Sequence, residues 1–406
     1  MTTIETDAPV EDAVLLLPRG FRAAGVHCGL KRRRPDLALF SSDEPAAAAG
    51  MFTQNATRAA CVTLCERKLA SPLAQAIVVN SGNANACTGP DGFVAAEAVT
   101  AAVAEALGID EPLVLGASTG VIGRPLPAEK LVAAAPALVA ALGGDAMPAA
   151  RAIMTTDAFP KTASARIDYE DGSVSIVGVA KGAGMIHPDM ATMIAVLLTD
   201  ALVPPELLRS TLRSAVGSTF NCISTDGDTS TNDSVFLLAN GASGCAPLDV
   251  VDEPRYSRFA RALASVAERL ALDIIRDGEG AEHVIQVTVR GARSDEDARK
   301  VANAVMTSPL VKTAFHGCEL NWGRVSAAAG RSGAEVDPDR LSIAIGGVEI
   351  VRYGVGVPEH YPLVEPMLRE PGIRLAIGLG LGNGVHRGWT NDLGTAYVRL
   401  NSGYLT

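Results

Sequence analysis

The segment Lys181–Asp200, KGAGMIHPDMATMIAVLLTD, constrains the fold more than any other stretch of this chain. Residues 193–198 form an unbroken apolar run, which is typical of a buried strand. A glycine-rich turn that begins with Lys181 precedes the run, and Thr192 stands directly before it. The pattern therefore predicts a buried strand with a hydroxyl group directly before its first residue. That hydroxyl is either an ordinary strand threonine, which is common, or a nucleophile.

Predicted strands and helices occur in runs, without regular alternation. A hairpin is predicted to turn at Asp171-Gly172, and Ser294 with Asp297 forms the capping-box pattern of a helix start. Residues 1 to about 17 have the character of a loose tail. The arrangement favours an α+β fold in layers over a doubly wound parallel sheet. The other strands are predicted at 74–80, 113–118, 283–292 and 340–356, and the helices at 99–107 (ended by Gly108), 206–216 and 259–274.

Composition narrows the class of protein. The 406 residues are 48% hydrophobic, enough for two or three domain-sized units, and the net charge of -10 comes without a basic, aromatic-rich stripe. The longest apolar stretch, 131–142, is broken by Pro136 and is too short to cross a bilayer. Seven cysteines form no CxxC pair, and six histidines show no metal-ligand spacing. We therefore expect a cytoplasmic protein without a metal and without nucleic-acid or membrane partners.

Three further motifs each have two interpretations. The stretch 116–120, GASTG, matches the serine nucleophile elbow, but Pro125 and Pro127 disfavour the helix that an elbow requires, and a loop of small residues could instead bind an oxyanion. The stretch 378–384, GLGLGNG, lacks the glycine spacing of a nucleotide loop and indicates a strand with a tight turn. The stretch 224–234, STDGDTSTNDS, lacks the closing glutamate of a calcium loop and indicates a hydrogen-bonded turn network.

A threonine hydroxyl is a weak nucleophile unless a base lies beside it. Cutting the chain between Ala191 and Thr192 would make Thr192 an N-terminal residue, and its own α-amine would then supply that base. An α-amine has an ordinary pKa of about 7.7–8.0, which suits proton transfer near neutral pH. Physical reasoning alone leaves this hypothesis beside the simpler one of a structural threonine.

The segment around Thr192 resembles the signature of the ornithine acetyltransferases, also called glutamate N-acetyltransferases of the arginine pathway. Further stretches resemble landmarks of this family in the family's order, from about residue 20 to the end of the chain. They are NSGNANACTG, ASTGVIG, AIMTTD, STDGDTSTND, SPLVKTA, NWGRV and YVRLNSGYLT.

The resemblance implies a layered α/β/β/α sandwich of the N-terminal-nucleophile type with a smaller α/β C-terminal domain. It also implies self-cleavage at Ala191-Thr192 into chains 1–191 and 192–406, which stay together as an α2β2 assembly. The implied reaction moves an acetyl group from N-acetylornithine to glutamate through Thr192, with no cofactor. Acetyl-CoA is a candidate second donor.

The resemblance also assigns roles to individual residues. Thr119 and Gly120 match the pair that forms the oxyanion hole. Lys181 is chemically suited to meet a substrate carboxylate, and Glu279 a substrate amine. The full set of implied substrate contacts is Thr155, Lys181, Thr192, Glu279, Asn401 and Thr406.

Three places depart from the family's usual sequence. They are Glu282-His283, Glu319-Leu320 and Thr390-Asn391. We expect the first and third to lie near substrate positions, which leaves the acyl donor and acceptor open. A paralogue with another amino-acid substrate, an amidase or aminopeptidase on the same scaffold, and a processed but inactive binding protein remain as alternatives.

Overall fold

A computed structural model describes residues 14–187, 193–251 and 253–403 of the chain. Its strands are β1 (Phe21–Val26), β2 (Leu37–Phe52), β3 (Leu73–Asn83), β4 (Val114–Val121), β5 (Lys161–Tyr169), β6 (Gly172–Lys181), β7 (Ile194–Thr199), β8 (Ile223–Ser224), β9 (Ser234–Ala239), β10 (Val284–Ala292), β11 (Ser342–Ile345), β12 (Val348–Arg352), β13 (Val355–Gly356), β14 (Gly372–Gly378) and β15 (Gly384–Asn391).

The helices are α1 (Ala60–Lys68), α2 (Gly89–Leu107), α3 (Ala128–Ala140), α4 (Met147–Ile153), α5 (Pro205–Ser218), α6 (Pro254–Arg276), α7 (Asp295–Met306), α8 (Pro309–His316), α9 (Trp322–Gly330), α10 (Tyr361–Val364) and α11 (Thr395–Gly403). Short 3₁₀ turns lie at Glu111–Leu113, Phe220–Cys222, Pro338–Arg340, Pro358–His360 and Pro366–Arg369. Within the described ranges, every helix is too short or too polar to span a bilayer.

One continuous sheet supplies both inner layers of the larger domain. Its strand order is β4-β3-β2-β9-β7-β6-β5, with β1 paired to β2. The long strand β2 joins the two layers: residues 37–41 pair with β3, residues 47–52 pair with β9, and the register shifts between Ser41 and Ala46. The sheet can bend at that irregularity, as sheets do at bulges.

Alternating burial along the strands shows the layers. On β7, the side chains of Ile194, Val196 and Leu198 join one hydrophobic core, which α1 and α4 also enter, whereas Ala195 and Leu197 join a second core with α5 and α6. On β3 the alternate side chains pack instead against α2 and α3 in a third core. The order is therefore helices, sheet, sheet, helices, and the predicted α/β/β/α sandwich is confirmed.

The smaller C-terminal unit is built on a second sheet with strand order β13-β12-β11-β14-β10-β15-β8. Its core contains side chains from α7, α8 and α9. The short strand β8 comes from the earlier part of the chain and pairs with β15 at Trp389 and Thr390. This sheet is thus the predicted smaller α/β domain, and β8 connects it to the sandwich.

Local sequence signals account for several element ends. The predicted hairpin forms, but its two-residue turn is Glu170-Asp171, one residue earlier than predicted, because Tyr169 already pairs with Gly172. Gly108 ends α2 with φ +71°, in the left-handed region that glycine adopts without strain. Ser294 caps α7 by accepting a hydrogen bond from the Asp297 N–H. The predicted loose tail is wrong for residues 14–17, because Leu17 donates to the Gly144 carbonyl. Residues 1–13 lie outside the described ranges.

The two predicted product chains share the sandwich. Strand β6 belongs to the predicted chain 1–191 and β7 to the predicted chain 192–406, and all six residues of β7 pair with residues 176–181 of β6, Lys181 opposite Ile194. A division of the chain at 191/192 therefore does not coincide with a boundary between folding units. The division itself stays a prediction.

Candidate active site

A cavity of about 590 Å³ lies at one end of the sandwich, where several segments converge. Its lining includes five residues that the family resemblance singled out, and they come from β4, the end of β6 and two segments that lie outside the strands and helices. These residues are Thr119, Gly120, Thr155, Lys181 and Glu279, and Asn401 on α11 joins them. Ala191, Thr192 and Thr406 lie outside the described residues.

Thr119 and Gly120 form the end of β4 rather than a separate loop. The Thr119 hydroxyl oxygen accepts a hydrogen bond from Lys181 Nζ at 3.3 Å. Gly120 has φ +133°, and a Cβ there would lie 2.4 Å from the carbonyl carbon of Gly82. Only glycine fits this close approach of two strands. The expected loop is thus a rigid strand end, and both residues face the cavity.

The neighbouring Ser118 does not have the surroundings of a nucleophile. Its hydroxyl donates to Asn80 Oδ1 at 2.6 Å, and its side chain is buried. Strand β4 also continues past it to Val121 instead of turning into a helix. The serine-elbow interpretation of GASTG is therefore wrong, and the alternative of an anion-binding end of the strand stands.

Lys181 is a buried strand residue, and the prediction of a flexible cationic turn is wrong for it. Burial lowers the pKa of its ammonium group, while the carboxylates of Asp157, Asp233 and Glu279 act in the opposite direction. The turn that the glycines predicted begins one residue later, at Gly182. The strand presents a cation of fixed position directly beside Thr119.

A buried ion triad, which no sequence motif indicated, lies next to this cation. Lys161 Nζ lies 2.6 Å from Asp157 Oδ1 and 2.5 Å from Asp277 Oδ2, and Lys161 is fully buried. Asp157 also accepts the N–H groups of Thr155 (2.8 Å) and Gly182 (2.7 Å). Burial by itself would raise the pKa of Asp157, but the two lysine ammonium groups hold it below its usual value. The triad fixes the segments that carry three cavity residues.

Asp233 borders the segment that follows Thr192 in the chain. Its Oδ1 accepts the N–H of Met193 at 3.0 Å, and its buried Oδ2 has no hydrogen-bond partner among the described residues. Burial raises the pKa of this carboxyl well above its usual value. Met193, the first described residue after Thr192, is therefore held by the carboxyl group of Asp233, and burial favours the protonated form of that group.

Glu279 and Asn401 meet across the cavity rim. Asn401 Nδ2 donates to Glu279 Oε2 at 2.8 Å, which joins α11 to the segment after α6. Gly184 packs against the same carboxylate, since a Cβ there would lie 2.7 Å from Glu279 Cδ. Asn401 is therefore anchored to the cavity residues although it lies near the end of the chain.

The stretch 224–234 forms the hydrogen-bonded network that was predicted for it. Asp226 accepts the N–H groups of Met185 (2.5 Å) and Ile186 (2.9 Å), and the Tyr397 hydroxyl donates to it at 3.3 Å. Burial and the neighbouring Asp226 raise the pKa of Tyr397. Within the described ranges, no cluster of side chains is suited to hold a metal ion.

The three departures from the family pattern do not line the cavity. Thr390 and Asn391 bind the buried Lys312, whose Nζ donates to Thr390 Oγ1 and Asn391 Oδ1 at 2.9 Å each. Asn391 Nδ2 lies so close to Gly278 that a Cβ there would be 1.7 Å away. Asn391 thus packs against the residue before Glu279, so this departure lies near a substrate position as expected, although the side chains of Thr390 and Asn391 do not line the cavity.

The other two departures also lie away from the cavity. The N–H groups of Glu282 and His283 donate to Asp392 Oδ1 at 2.9 and 2.8 Å, and His316 Nδ1 lies 2.7 Å from Asp392 Oδ2. Glu319 donates its N–H to the Ala314 carbonyl at the end of α8. Their contacts are with the framework of the C-terminal unit.

Comparisons with known proteins agree with this picture. The family model described as the ArgJ family matches residues 22–406. The arginine biosynthesis bifunctional protein ArgJ of Syntrophotalea carbinolica is 47% identical over 387 residues, 95% of this chain and 97% of that protein. The protein of the same name from Thermosynechococcus vestitus is 46% identical over 410 residues, 96% of this chain and 97% of that protein.

Solved structures are also similar to parts of the chain. The crystal structure of arginine biosynthesis bifunctional protein argJ from Bacillus halodurans is 38% identical with a TM-score of 0.49, over 50% of this chain and 96% of that one. Ornithine acetyltransferase from Mycobacterium tuberculosis, complexed with ornithine, is 41% identical with a TM-score of 0.40, over 42% of this chain and 92% of that one. The match of the family model over residues 22–406 and the identity of the relatives over nearly the whole chain show that this protein belongs to the ArgJ family.

Proposed function

We propose that this protein is an N-acyltransferase of arginine biosynthesis, which moves an acetyl group from N-acetylornithine to glutamate. Membership of the ArgJ family supports the reaction class. The single structural observation that carries the proposal is the shared cavity. It is lined by Thr119 and Gly120 of the proposed oxyanion hole and by Lys181 and Glu279, the proposed contacts for a carboxylate and an amine.

The charges of the cavity suit an amino-acid substrate. The cavity is lined both by the carboxylates of Glu279 and Asp226 and by the ammonium group of Lys181. An amino acid carries both a cation and an anion, so such walls orient it through charge-assisted hydrogen bonds. The Lys181 ammonium also lies beside the Thr119 hydroxyl, where it strengthens the electrostatic stabilisation of a developing oxyanion.

The proposed chemistry is acyl transfer in two half-reactions. The Thr192 hydroxyl adds to the acetyl carbonyl of N-acetylornithine, its proton passes to the α-amine of Thr192, and the oxyanion is held by Thr119 and Gly120. The C–N bond breaks, the proton moves to the leaving amine of ornithine, and an acetyl ester remains on Thr192. The amine of glutamate then attacks this ester, and N-acetylglutamate leaves with the free hydroxyl restored.

This mechanism requires the proposed cleavage between Ala191 and Thr192. Chains 1–191 and 192–406 would remain together because all six residues of β7 pair with β6. An α2β2 assembly is the proposed state. The proposed location is the cytoplasm, because the cysteines of the described ranges are unpaired, as is usual in a reducing compartment.

Intact-mass measurement tests the proposal. Purified protein should appear as fragments 1–191 and 192–406, and brief exposure to N-acetylornithine should add one acetyl group to the second fragment. Glutamate should remove this group and yield N-acetylglutamate. The matched variants are Thr192→Ala, which should stay uncleaved and inactive, and Thr192→Ser, which should be cleaved and retain reduced turnover.

Three results would contradict the proposal. A single intact chain with full activity would exclude the N-terminal nucleophile. Acetylation of the 1–191 fragment would place the acyl carrier elsewhere. Loss of the acetyl group to water at the same rate with and without glutamate would indicate a hydrolase instead of a transferase.

A further inference from the structure

We propose that Arg32, Arg33 and Arg34, the arginine triplet, form a phosphate-binding site at the mouth of the cavity, which takes the nucleotide end of an acyl thioester donor such as acetyl-CoA. The inference deepens the proposed function, on which it rests, by assigning a place to a second, phosphate-bearing donor. It starts from the observation that the three arginines are exposed and also line the cavity.

The guanidinium groups of the triplet are not neutralised by any residue that the structure describes. Within the described ranges, none of the three forms a hydrogen bond or an ion pair. The chain as a whole has a net charge of -10, so three consecutive uncompensated cations are a local exception. Guanidinium groups match phosphate oxygens in geometry and charge, and three of them exceed what the single α-carboxylate of an amino acid requires.

The loop that carries the triplet is held in place by hydrogen bonds to a buried carboxylate. The fully buried carboxylate of Asp36 accepts the N–H groups of Cys28 (2.6 Å), Leu30 (2.7 Å) and Lys31 (2.8 Å). Lys31 Nζ donates to the carbonyl of Met154 at 2.5 Å. The lysine is therefore occupied by the framework, while the three following arginines extend from a loop whose backbone is already anchored and so loses little freedom on binding.

The triplet is close to the proposed oxyanion hole. A Cβ on Gly82 would lie 3.3 Å from Cγ of Lys31, and the same glycine is the backbone against which Gly120 packs. One glycine thus separates the loop from the end of β4. The half-buried side chains of Val121 and Ile122 also line the cavity next to Gly120, and they offer an apolar wall for the uncharged arm of a thioester.

The size of the cavity agrees with a long donor. Its volume of about 590 Å³ falls within the ~300–1,000 Å³ that is usual for sites of drug-sized ligands, well above the need of one amino acid. The reaction would be balanced without another reactant. The nucleophilic hydroxyl adds to the thioester carbonyl, the C–S bond breaks, the acetyl ester forms, and the hydroxyl proton ends on the released thiol.

Calorimetric titration of the purified protein with coenzyme A, adenosine 3′,5′-bisphosphate and pantetheine tests the site. Coenzyme A should bind, and replacement of Arg32, Arg33 and Arg34 by Gln should weaken its binding at least ~10-fold, since each charge-assisted bond to phosphate is among the stronger hydrogen bonds of proteins. The control replaces three exposed arginines of α5 and α6 by Gln and makes the same change in net charge. It contains Arg209→Gln, Arg213→Gln and Arg261→Gln.

A kinetic comparison identifies the source of the phosphate. The ratio of kcat/KM for acetyl-CoA to kcat/KM for acetyl-pantetheine, which lacks the nucleotide, should fall at least ~10-fold in the triplet variant and stay unchanged in the control. Raising the salt concentration should lower the same ratio in the wild-type protein, because the triplet is exposed.

Several outcomes would overturn the inference. They are failure of coenzyme A to bind the wild-type protein, equal loss of binding in the control, and equally tight binding of the free bisphosphate without any use of acetyl-CoA. A rise in the KM for glutamate without a change in coenzyme A binding would assign the triplet to the amino acid instead. Transfer from N-acetylornithine to glutamate is measured separately, so failure of the proposed function is distinguishable from failure of this site.

Discussion

Replacement of Lys161 by Met should destabilise the protein by about 3–5 kcal/mol at neutral pH, the range found when one partner of a buried ion pair is removed. The fully buried Lys161 is the cation shared by the carboxylates of Asp157 and Asp277. Methionine fills most of the space of the lysine stem, so little of this loss comes from a cavity. Backbone N–H groups still bind both carboxylates, which keeps the loss within the range for one pair.

The pH dependence of this loss has a defined sign. In Lys161→Met two buried carboxylates face each other without a cation, so their pKa values rise in the folded state relative to the wild-type protein. The folded variant then takes up protons as the pH falls, and its penalty shrinks. Equilibrium unfolding by urea, followed by circular dichroism, should therefore show a smaller difference from wild type at pH 5 than at pH 7.5.

Two further variants make the test specific. Lys161→Met combined with Asp277→Asn removes one of the stranded charges and should recover about 1–3 kcal/mol through coupling of neighbouring sites. Arg166→Met on the same strand breaks an exposed pair with Asp168 and should change stability by less than about 0.5 kcal/mol. Equal losses for Lys161→Met and Arg166→Met, or a double variant as unstable as the sum of its parts, would refute the reasoning.

Other predictions concern the cavity and the C-terminal unit. Thr119→Ala should slow acyl transfer by ~10²–10³ with little change in KM, measured by steady-state kinetics beside Thr119→Ser, which keeps the hydroxyl. Gly120→Ala should reduce turnover at least ~10-fold because the new Cβ meets the neighbouring backbone, whereas Gly217→Ala, which has open space, should leave kinetics unchanged. Burial lowers the pKa of Lys312 to about 7. Above that pH the unfolded chain binds more protons than the folded chain, so the stability of wild type relative to Lys312→Met should rise with pH. Urea unfolding should show a rise of up to ~1.4 kcal/mol per pH unit from pH 7 to 8.5.

The fold was largely predictable because its signals are local. The apolar run of β7, the hairpin of β5 and β6 and the cap at Ser294 each depend on a few neighbouring residues, and the structure confirms them, with the hairpin turn one residue earlier than predicted. Lys181 shows the limit of such signals. Its glycine neighbours predicted a turn, but pairing with Ile194 extends β6 through the lysine. Strand ends are decided by a distant partner, which a local pattern does not contain.

The residues around the site were predicted by family likeness rather than by physical pattern. Local sequence could not reveal the triad, since Asp277 is far from Lys161 in the chain and neither residue belongs to a recognisable motif. Nor could it show that Thr390 and Asn391 face Lys312 instead of the cavity. Sequence distance from a substrate residue says little about which side chain a substrate touches, because the layers bring remote segments together.

The connection from β6 to β7 explains how a cut at Ala191-Thr192 could leave the sandwich intact. Lys181 and Ile194 are directly paired, and adjacent antiparallel strands need only a short turn between them. The connection formed by residues 182–193 is therefore longer than this pairing requires. Carboxylates anchor the described parts of the connection. Asp157 binds Gly182, Asp226 binds Met185 and Ile186, and Asp233 binds Met193. Because these anchors lie on both sides of the proposed cut, the described residues nearest to it on each new chain would stay attached to the sandwich. The same three carboxylates would then serve the precursor and the mature enzyme alike.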